Sequence, residues 1–216
     1  MRMALFGPPG AGKGTQAQLL KERLEIAHIS SGDLFRFHLK EGTALGKKAS
    51  EFMSQGLLVP DDLVIEMVLG KVNELGAESG FILDGFPRTR EQAIALDRAL
   101  LEDSRGLDKA LLVDVPQDEL VRRLGGRFIC RNCQAPFSLE PSQFEAPPSC
   151  SFCGGELYQR DDDRAEAIQV RIGVYQEQTK PVLDFYRQQG LLAEISGVGP
   201  VDEINRDAIN ALGLDS

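Results

Sequence analysis

The chain has 216 residues, of which 42% are hydrophobic, and a formal net charge of −9. That length suits one core carrying small insertions, and no apolar run reaches the ~20 residues of a membrane helix. The acidic balance argues against a nucleic-acid-binding chain, which shows a basic face, so neither nucleic acid nor membrane is an expected partner. Any site for an anion must then be built from a few chosen arginines. The opening run Met1-Arg2-Met3-Ala4-Leu5-Phe6-Gly7 enters a turn without the apolar region and cleavage site of a signal peptide, so a cytoplasmic protein is expected.

In chain order, the first apolar run, Met3–Phe6, ends at a glycine-rich turn. A helical pattern follows from Lys13 to Leu24, then a short strand over Ala27–Ser30. Phe81–Asp84 and Ala110–Asp114 read as short buried strands, and Leu191–Ile195 as the last one. Short apolar strands alternating with helical stretches predict an α/β fold with a parallel sheet. Two segments break the rhythm and read as insertions. Residues 31–59 are helical and polar with no strand between. Residues 127–163 lose helical periodicity and hold Pro136, Pro141, Pro147, Pro148, Gly154, Gly155 and all four cysteines.

Gly7-Pro8-Pro9-Gly10-Ala11-Gly12-Lys13-Gly14-Thr15 follows a strand and opens a helix, the context a phosphate-binding loop requires. Its glycines let the backbone curl so that several N–H groups face one anion. The helix N-terminus adds a favourable dipole, and Lys13 adds a point charge for the outer phosphates. The general motif puts Ser or Thr directly after the lysine as a magnesium ligand. Here Gly14 stands there and the hydroxyl comes at Thr15. Asp84, at the end of a buried strand, is placed to hold Mg2+ through water, and Asp33 is a further candidate; a turn or helix cap is the plain alternative for Asp84.

Cys130-x2-Cys133 followed by Cys150-x2-Cys153 has zinc-ribbon spacing. Two such knuckles complete a tetrahedron of thiolates with no open position. The expectation is therefore structural Zn2+ stapling a segment too small for its own core. Iron is the other metal the same sulfurs would bind. The two histidines, His28 on a strand and His38 on a helix, are expected to be structural.

Several stretches together resemble the adenylate kinase family of nucleoside monophosphate kinases. They are the Gly-Lys-Gly-Thr end of the loop, Ser30-Ser31-Gly32-Asp33-Leu34-Phe35-Arg36, Asp84-Gly85-Phe86-Pro87-Arg88-Thr89 with Gln92, and Arg160-Asp161-Asp162-Asp163 with Arg171. The resemblance spans essentially the whole chain, and cysteine-bearing lids of this length resemble those of some bacterial members. It implies a P-loop core with a five-stranded parallel sheet flanked by helices, over 1–29, 60–125 and 164–216. It also implies an AMP-binding helical insert at 30–59 and a zinc-ribbon-like lid at 126–163.

By the same resemblance the reaction is reversible phosphoryl transfer from MgATP to AMP, giving two ADP, in a monomer. ATP would lie against Gly10, Ala11, Gly12, Lys13, Gly14, Thr15, Arg123, Arg127, the backbone near Pro136 and Phe137, and Gly199. AMP would lie against Ser31, Arg36, the backbone at Leu57, Leu58 and Val59, then Gly85, Phe86, Pro87, Arg88 and Gln92. Arg160 and Arg171 would touch both sets of phosphates. Lys13, Asp84, Arg88, Arg123, Arg160 and Arg171 form the implied catalytic set. Ser31 stands where threonine is frequent and keeps the hydroxyl; Gly199 stands where a longer side chain is common, so only its carbonyl contributes. The acceptor phosphate is already ionised near neutral pH, so the chemistry needs alignment and charge neutralisation rather than a strong base, and arginine's planar fork suits that. Two rival readings are a pyrimidine monophosphate kinase of the same superfamily and a zinc-ribbon nucleic-acid-binding P-loop regulator. The Gln92 amide, able to donate to and accept from an adenine edge, opposes the first. The acidic charge opposes the second.

Overall fold

The computed structural model of the chain describes residues 1–76, 79–102, 106–139 and 149–214. Five strands form one parallel sheet: β1 (Arg2–Phe6), β2 (Ala27–Ser30), β3 (Phe81–Asp84), β4 (Lys109–Asp114) and, after a second sheet, β8 (Leu192–Ser196). Their order across the sheet is β2-β3-β1-β4-β8, with every neighbouring pair parallel. These are near-continuous apolar runs because both faces of a parallel sheet are covered. Alternate residues of one strand feed opposite cores. Ala4 and Phe6 join Leu83, Leu112 and residues of α4 (Asp61–Asn73), α5 (Arg90–Glu102) and α8 (Lys180–Gln188). Met3 and Leu5 join Ile82, Leu111 and residues of α1 (Lys13–Leu24), α7 (Ala165–Val174) and α9 (Val201–Ala211).

The strand order puts a switch point beside β1, whose neighbours β3 and β4 lead the chain to opposite sides. In open parallel sheets ligands bind in that crevice, outside the carboxyl ends of the strands. Phe6, Ser30 and Asp84 are the last residues of β1, β2 and β3. The phosphate loop, the Ser31 segment and the Asp84-to-Arg88 loop therefore converge by topology.

Between β2 and α4 lie two packed helices, α2 (Ser31–Lys40) and α3 (Ala44–Met53). The hydroxyls of Ser30 and Thr43 cap them, accepting from the N–H groups of Asp33 and Gly46. After α6 (Gln117–Gly125) comes a separate antiparallel sheet of β5 (Arg127–Cys130), β6 (Pro136–Ser138) and β7 (Leu157–Tyr158), in the order β6-β5-β7. Sequence reading saw only lost helical periodicity there; strands of two to four residues are too short to show alternation. Pro141, Pro147 and Pro148, counted toward that segment from sequence, lie outside the described residues. A 3-10 turn at Asp161–Asp163 leads into α7, and a π turn at Tyr175–Thr179 joins α7 to α8. Among the described residues, no helix is long and apolar enough to cross a membrane.

Candidate active site

An open cleft of about 1980 Å³ runs along the carboxyl ends of the strands. A pocket for one drug-sized ligand holds ~300–1,000 Å³, so the space suits two ligands of that size. Its floor is the phosphate loop, Gly10 to Thr15. Gly10 and Gly12 have φ of +86° and +89°, a region that side chains with a Cβ rarely enter. Gly12 caps α1 with no side-chain hydrogen bond to the helix. The first N–H groups of α1 thus have no side-chain cap and belong to residues that line the cleft, the makings of an anion site. Thr15 is exposed. A Cβ on Gly14 would stand 3.6 Å from Asp84 Oδ2, so the carboxylate reaches the start of the helix.

Lys13 folds back on its own loop, its Nζ donating to Gly7 O at 2.8 Å and Pro8 O at 3.0 Å. Part of the side chain is solvent-accessible, but the ammonium sits among packed atoms. Burial lowers its pKa to about 8, helped by Arg88, Arg171 and Arg127 and opposed by Asp84. Burial pushes the Asp84 carboxyl up, but His28, Lys13 and Arg88 outweigh it and hold it below the usual carboxylate range. His28 Nε2 is 3.7 Å from Asp84 Oδ2, beyond hydrogen-bond distance, and is buried with no other partner among the described residues. His28 lines the cleft beside Asp84, whereas His38 ties α2 to Thr43 through a 3.2 Å contact.

The remaining cations arrive from every side, and most rest on an internal acceptor. Arg36 pairs with Asp33 at 2.6 Å, and Arg88 Nε donates to Gly85 O at 2.8 Å. Gly85 has φ +75°, and a Cβ there would meet Arg88 Nη2 at 2.7 Å and Ser31 Oγ at 2.8 Å. Only glycine lets those two groups close over this turn. Arg123 Nε donates to Glu119 at 2.7 Å and its Nη2 to Gly197 O at 3.1 Å. Arg127 grips the buried Asp163 carboxylate with two bonds of 2.5 and 2.7 Å, and Arg171 Nη1 donates to the same carboxylate at 2.8 Å. Arg160 Nε is buried with no partner among the described residues. Burial, then Arg36 and Arg127, lower the Arg160 pKa to about 10.

The cleft brings together nearly every residue singled out from sequence: Ser31, Asp33 and Arg36; Leu57, Leu58 and Val59; Asp84, Gly85, Arg88 and Gln92. Arg123, Arg127, Pro136, Phe137, Arg160, Arg171 and Gly199 line it as well. Two residues do not face it. Phe86 is 1% exposed and its ring joins the core, the expected fate of an aromatic side chain between two polar turns. Pro87 lines a small chamber of about 70 Å³ behind the cleft, next to Lys13, Tyr175 and Thr179. Sequence reasoning missed several acids that hold the cleft's side chains: Asp162, Asp163 and Glu119 beside arginines, and Asp61 beside Thr89 and Gln92. Asp162 and Asp163 stood inside a quoted motif, but nothing in the spacing says which faces inward. Asp61 and Glu119 gave no local signal.

The four cysteines meet at the base of the second sheet. Cys130 Sγ is 3.4 Å from Cys153 Sγ, and Cys133 Sγ is 3.6 Å from Cys150 Sγ. All four sulfurs lie within 4.8 Å of one another. A tetrahedral ion with ~2.3 Å bonds to sulfur sets its ligands ~3.8 Å apart, so the cluster fits such an ion. The N–H groups of Cys133 and Asn132 point at Cys130 Sγ and draw its pKa down to about 6 against the opposing effect of burial. The Ala135 amide favours the Cys133 thiolate too, yet burial and the three neighbouring sulfurs push it up to about 12. Four sulfurs this close become thiolates together only with a cation between them. Among the described residues, the surrounding core is Phe128, Leu157, Cys130 and Cys150 with Phe137 and Leu139 against it, a small apolar area of the kind a metal staple supplements.

Comparison with known proteins puts names to this geometry. The family model described as adenylate kinase matches residues 5–191. The adenylate kinase of Methanocella arvoryzae is 49% identical over 212 residues, covering 98% of each chain. That of Streptomyces coelicolor is 49% identical over 218 residues, covering 100% of each. That of Alkaliphilus oremlandii is 47% identical over 215 residues, again covering 100% of each.

The cysteine geometry predicts one tightly held ion per chain, counted by elemental analysis of protein purified under reducing conditions. Cys133→Ser should lose that ion and melt at a lower temperature. The loss should fall well short of the ~10–16 kcal/mol of apparent binding energy seen where zinc orders a whole finger, because the ion here staples one insert on a larger core. Wild-type protein that carries no metal would contradict the assignment.

Proposed function

Because the chain belongs to the adenylate kinase family, we infer that its cleft moves the terminal phosphoryl group of ATP to AMP, giving two ADP, and runs equally in reverse. The observation that supports this most is the single run of cations, Lys13, Arg88, Arg160, Arg171 and Arg127, lining one crevice at the N-terminus of α1. Two polyanions that repel each other meet in line only where that charge is neutralised.

On this reading ATP lays its phosphates on the loop from Gly10 to Thr15, with Lys13 and Arg127 on the outer oxygens. Its base lies among Arg123, Pro136, Phe137 and Gly199. AMP sets its phosphate among Ser31, Arg36 and Arg88, and its base near Gln92 and the Leu57–Val59 backbone. Arg160 and Arg171 stand between the two and take the charge that develops on the transferred group. Adenylate kinases use Mg2+ with ATP; that ion neutralises phosphate charge, and Asp84 beside Gly14 is the residue to hold it through its waters. The chain's own side chains bind, orient and exclude water. No residue is needed as a strong base, since the acceptor oxygen is already ionised.

Residues 30–59 act as the AMP-binding insert and 126–163 as the lid over ATP; the stretch 140–148 of the lid lies outside the described residues. Closing them keeps water, the competing acceptor, from the transferred phosphoryl group. The four cysteines hold structural Zn2+, favoured by tetrahedral all-thiolate geometry. The protein works as a monomer in the cytoplasm, with nucleotides rather than nucleic acid or membrane as its partners.

The direct test is a panel of AMP, GMP, UMP and CMP with MgATP. AMP should be preferred, two ADP should form per ATP consumed, and little phosphate should be released without an acceptor. Preference for UMP or CMP would overturn the reading.

Lys13 supplies a second test. At pH 8.5 a lysine with a pKa of about 8 is largely neutral in the free protein. Phosphate bound against it favours the charged form, so ATP binding should take up roughly three-quarters of a proton per site. Titration calorimetry in two buffers of different ionisation heat measures it, and Lys13→Met should abolish it. Binding with no proton uptake in the wild type would contradict the placement of ATP against Lys13.

A further inference from the structure

Gln92 is 1% exposed, yet the residue lines the cleft. Both ends of that amide are held. Its Nε2 donates to Asp61 Oδ1 at 2.7 Å, and its Oε1 accepts the backbone N–H of Arg88 at 2.8 Å. The second Asp61 oxygen accepts from Thr89 Oγ1 at 2.7 Å, and the same hydroxyl oxygen accepts the backbone N–H of Gln92 at 3.2 Å. Chemistry decides the orientation here. An ionised carboxylate only accepts, and a backbone N–H only donates. A flipped amide would set oxygen against the carboxylate and N–H against N–H, losing two bonds and creating two repulsions.

An amide carries two N–H donors and two lone pairs on oxygen. With one of each engaged, one N–H and one lone pair remain, in a fixed spatial order. Adenine presents an amino donor at position 6 beside an acceptor nitrogen at position 1. A 6-oxopurine such as guanine or hypoxanthine presents the reverse, an acceptor oxygen beside an N–H. An amide free to flip serves both edges; one held in a single orientation serves one and opposes the other.

We propose that Asp61 is a specificity-determining positioning residue. It locks the polarity of the Gln92 amide so that the acceptor pocket takes adenine and rejects 6-oxopurines. The proposal rests on the reading of this side of the cleft as the AMP site with Gln92 at the base. Asp61 is well placed for the role. It is the first residue of α4, where the helix dipole favours a carboxylate. Val64 and Val68 of that helix are buried in the core, and α4 packs against α5, whose first turn carries Gln92. The lock therefore joins two core helices rather than two loops.

The test compares kcat/KM for AMP and IMP in the wild type, Asp61→Asn and Thr89→Val. IMP has the 6-oxo edge without guanine's extra amino group, so only polarity is probed. A hydrogen bond to a charged partner is worth enough that its loss should lower the AMP-to-IMP ratio in Asp61→Asn by about tenfold or more. The loss for AMP should fall on KM rather than kcat, and kcat/KM for IMP should rise above the wild-type value. Thr89→Val, which leaves the carboxylate less firmly aimed, should move both quantities the same way by less. It carries the test alone if Asp61→Asn does not fold. A simply structural role would depress both substrates, so IMP use that stays level or falls in the folded variants overturns the proposal. A wild type that does not phosphorylate AMP would instead overturn the functional reading beneath it.

Discussion

The structure depends on gathering cations into one cleft of a chain whose net charge is −9. Lys13, Arg36, Arg88, Arg123, Arg127, Arg160 and Arg171 repel one another and are partly stripped of water. The strain is visible in Lys13 at about 8, in Arg160 at about 10 and in Arg88, lowered first by burial and then by Arg171. Nearby acids hold most of them in place. The fully buried Asp163 side chain seats Arg127 and Arg171 together. Removing one partner of such a buried pair is costly because the other charge is left alone.

Such a cluster needs a rigid frame, and the sheet supplies it. The two cores on either face fix β1, β3 and β4, so the loops at their carboxyl ends have little freedom to spread apart. Asp163 also joins the small second sheet to the main body, since Arg127 opens β5 and Arg171 lies on α7. Among the described residues, the small sheet has few apolar contacts of its own and is gathered around four sulfurs. Charge pairing at one end and thiolate geometry at the other thus set where its strands lie.

Much of this was legible in the sequence, because the patterns involved are local. The glycine spacing of the loop, the apolar strands and the paired Cys-x2-Cys knuckles each occupy a few consecutive residues. Strand ends fell within a residue of expectation: Lys109 and Leu192 open β4 and β8 where Ala110 and Leu191 were expected. What could not be read was long-range or directional. The contact of Asp61 with Gln92 spans 31 positions, and no period in the chain announces it. The inward turn of Phe86, and the choice of Asp163 over Asp161 as the buried acid, depend on which way a loop faces after packing. The family motif covered Phe86 but could not say that its ring belongs to the core.

If cleft charge is held at a cost to the free protein and released by phosphate, one lysine should report both effects. A lysine whose folded pKa lies near 8, below its unfolded 10.5, destabilises the free protein fully below about pH 8. That cost fades as pH rises from 8 toward 10.5. The decisive measurement is the melting temperature of wild type and Lys13→Met at pH 7, each with and without MgATP. The account predicts that the free variant melts at or above the wild type, while the rise produced by nucleotide is largely lost. A free variant that melts well below the wild type yet keeps the full nucleotide-induced rise would contradict it.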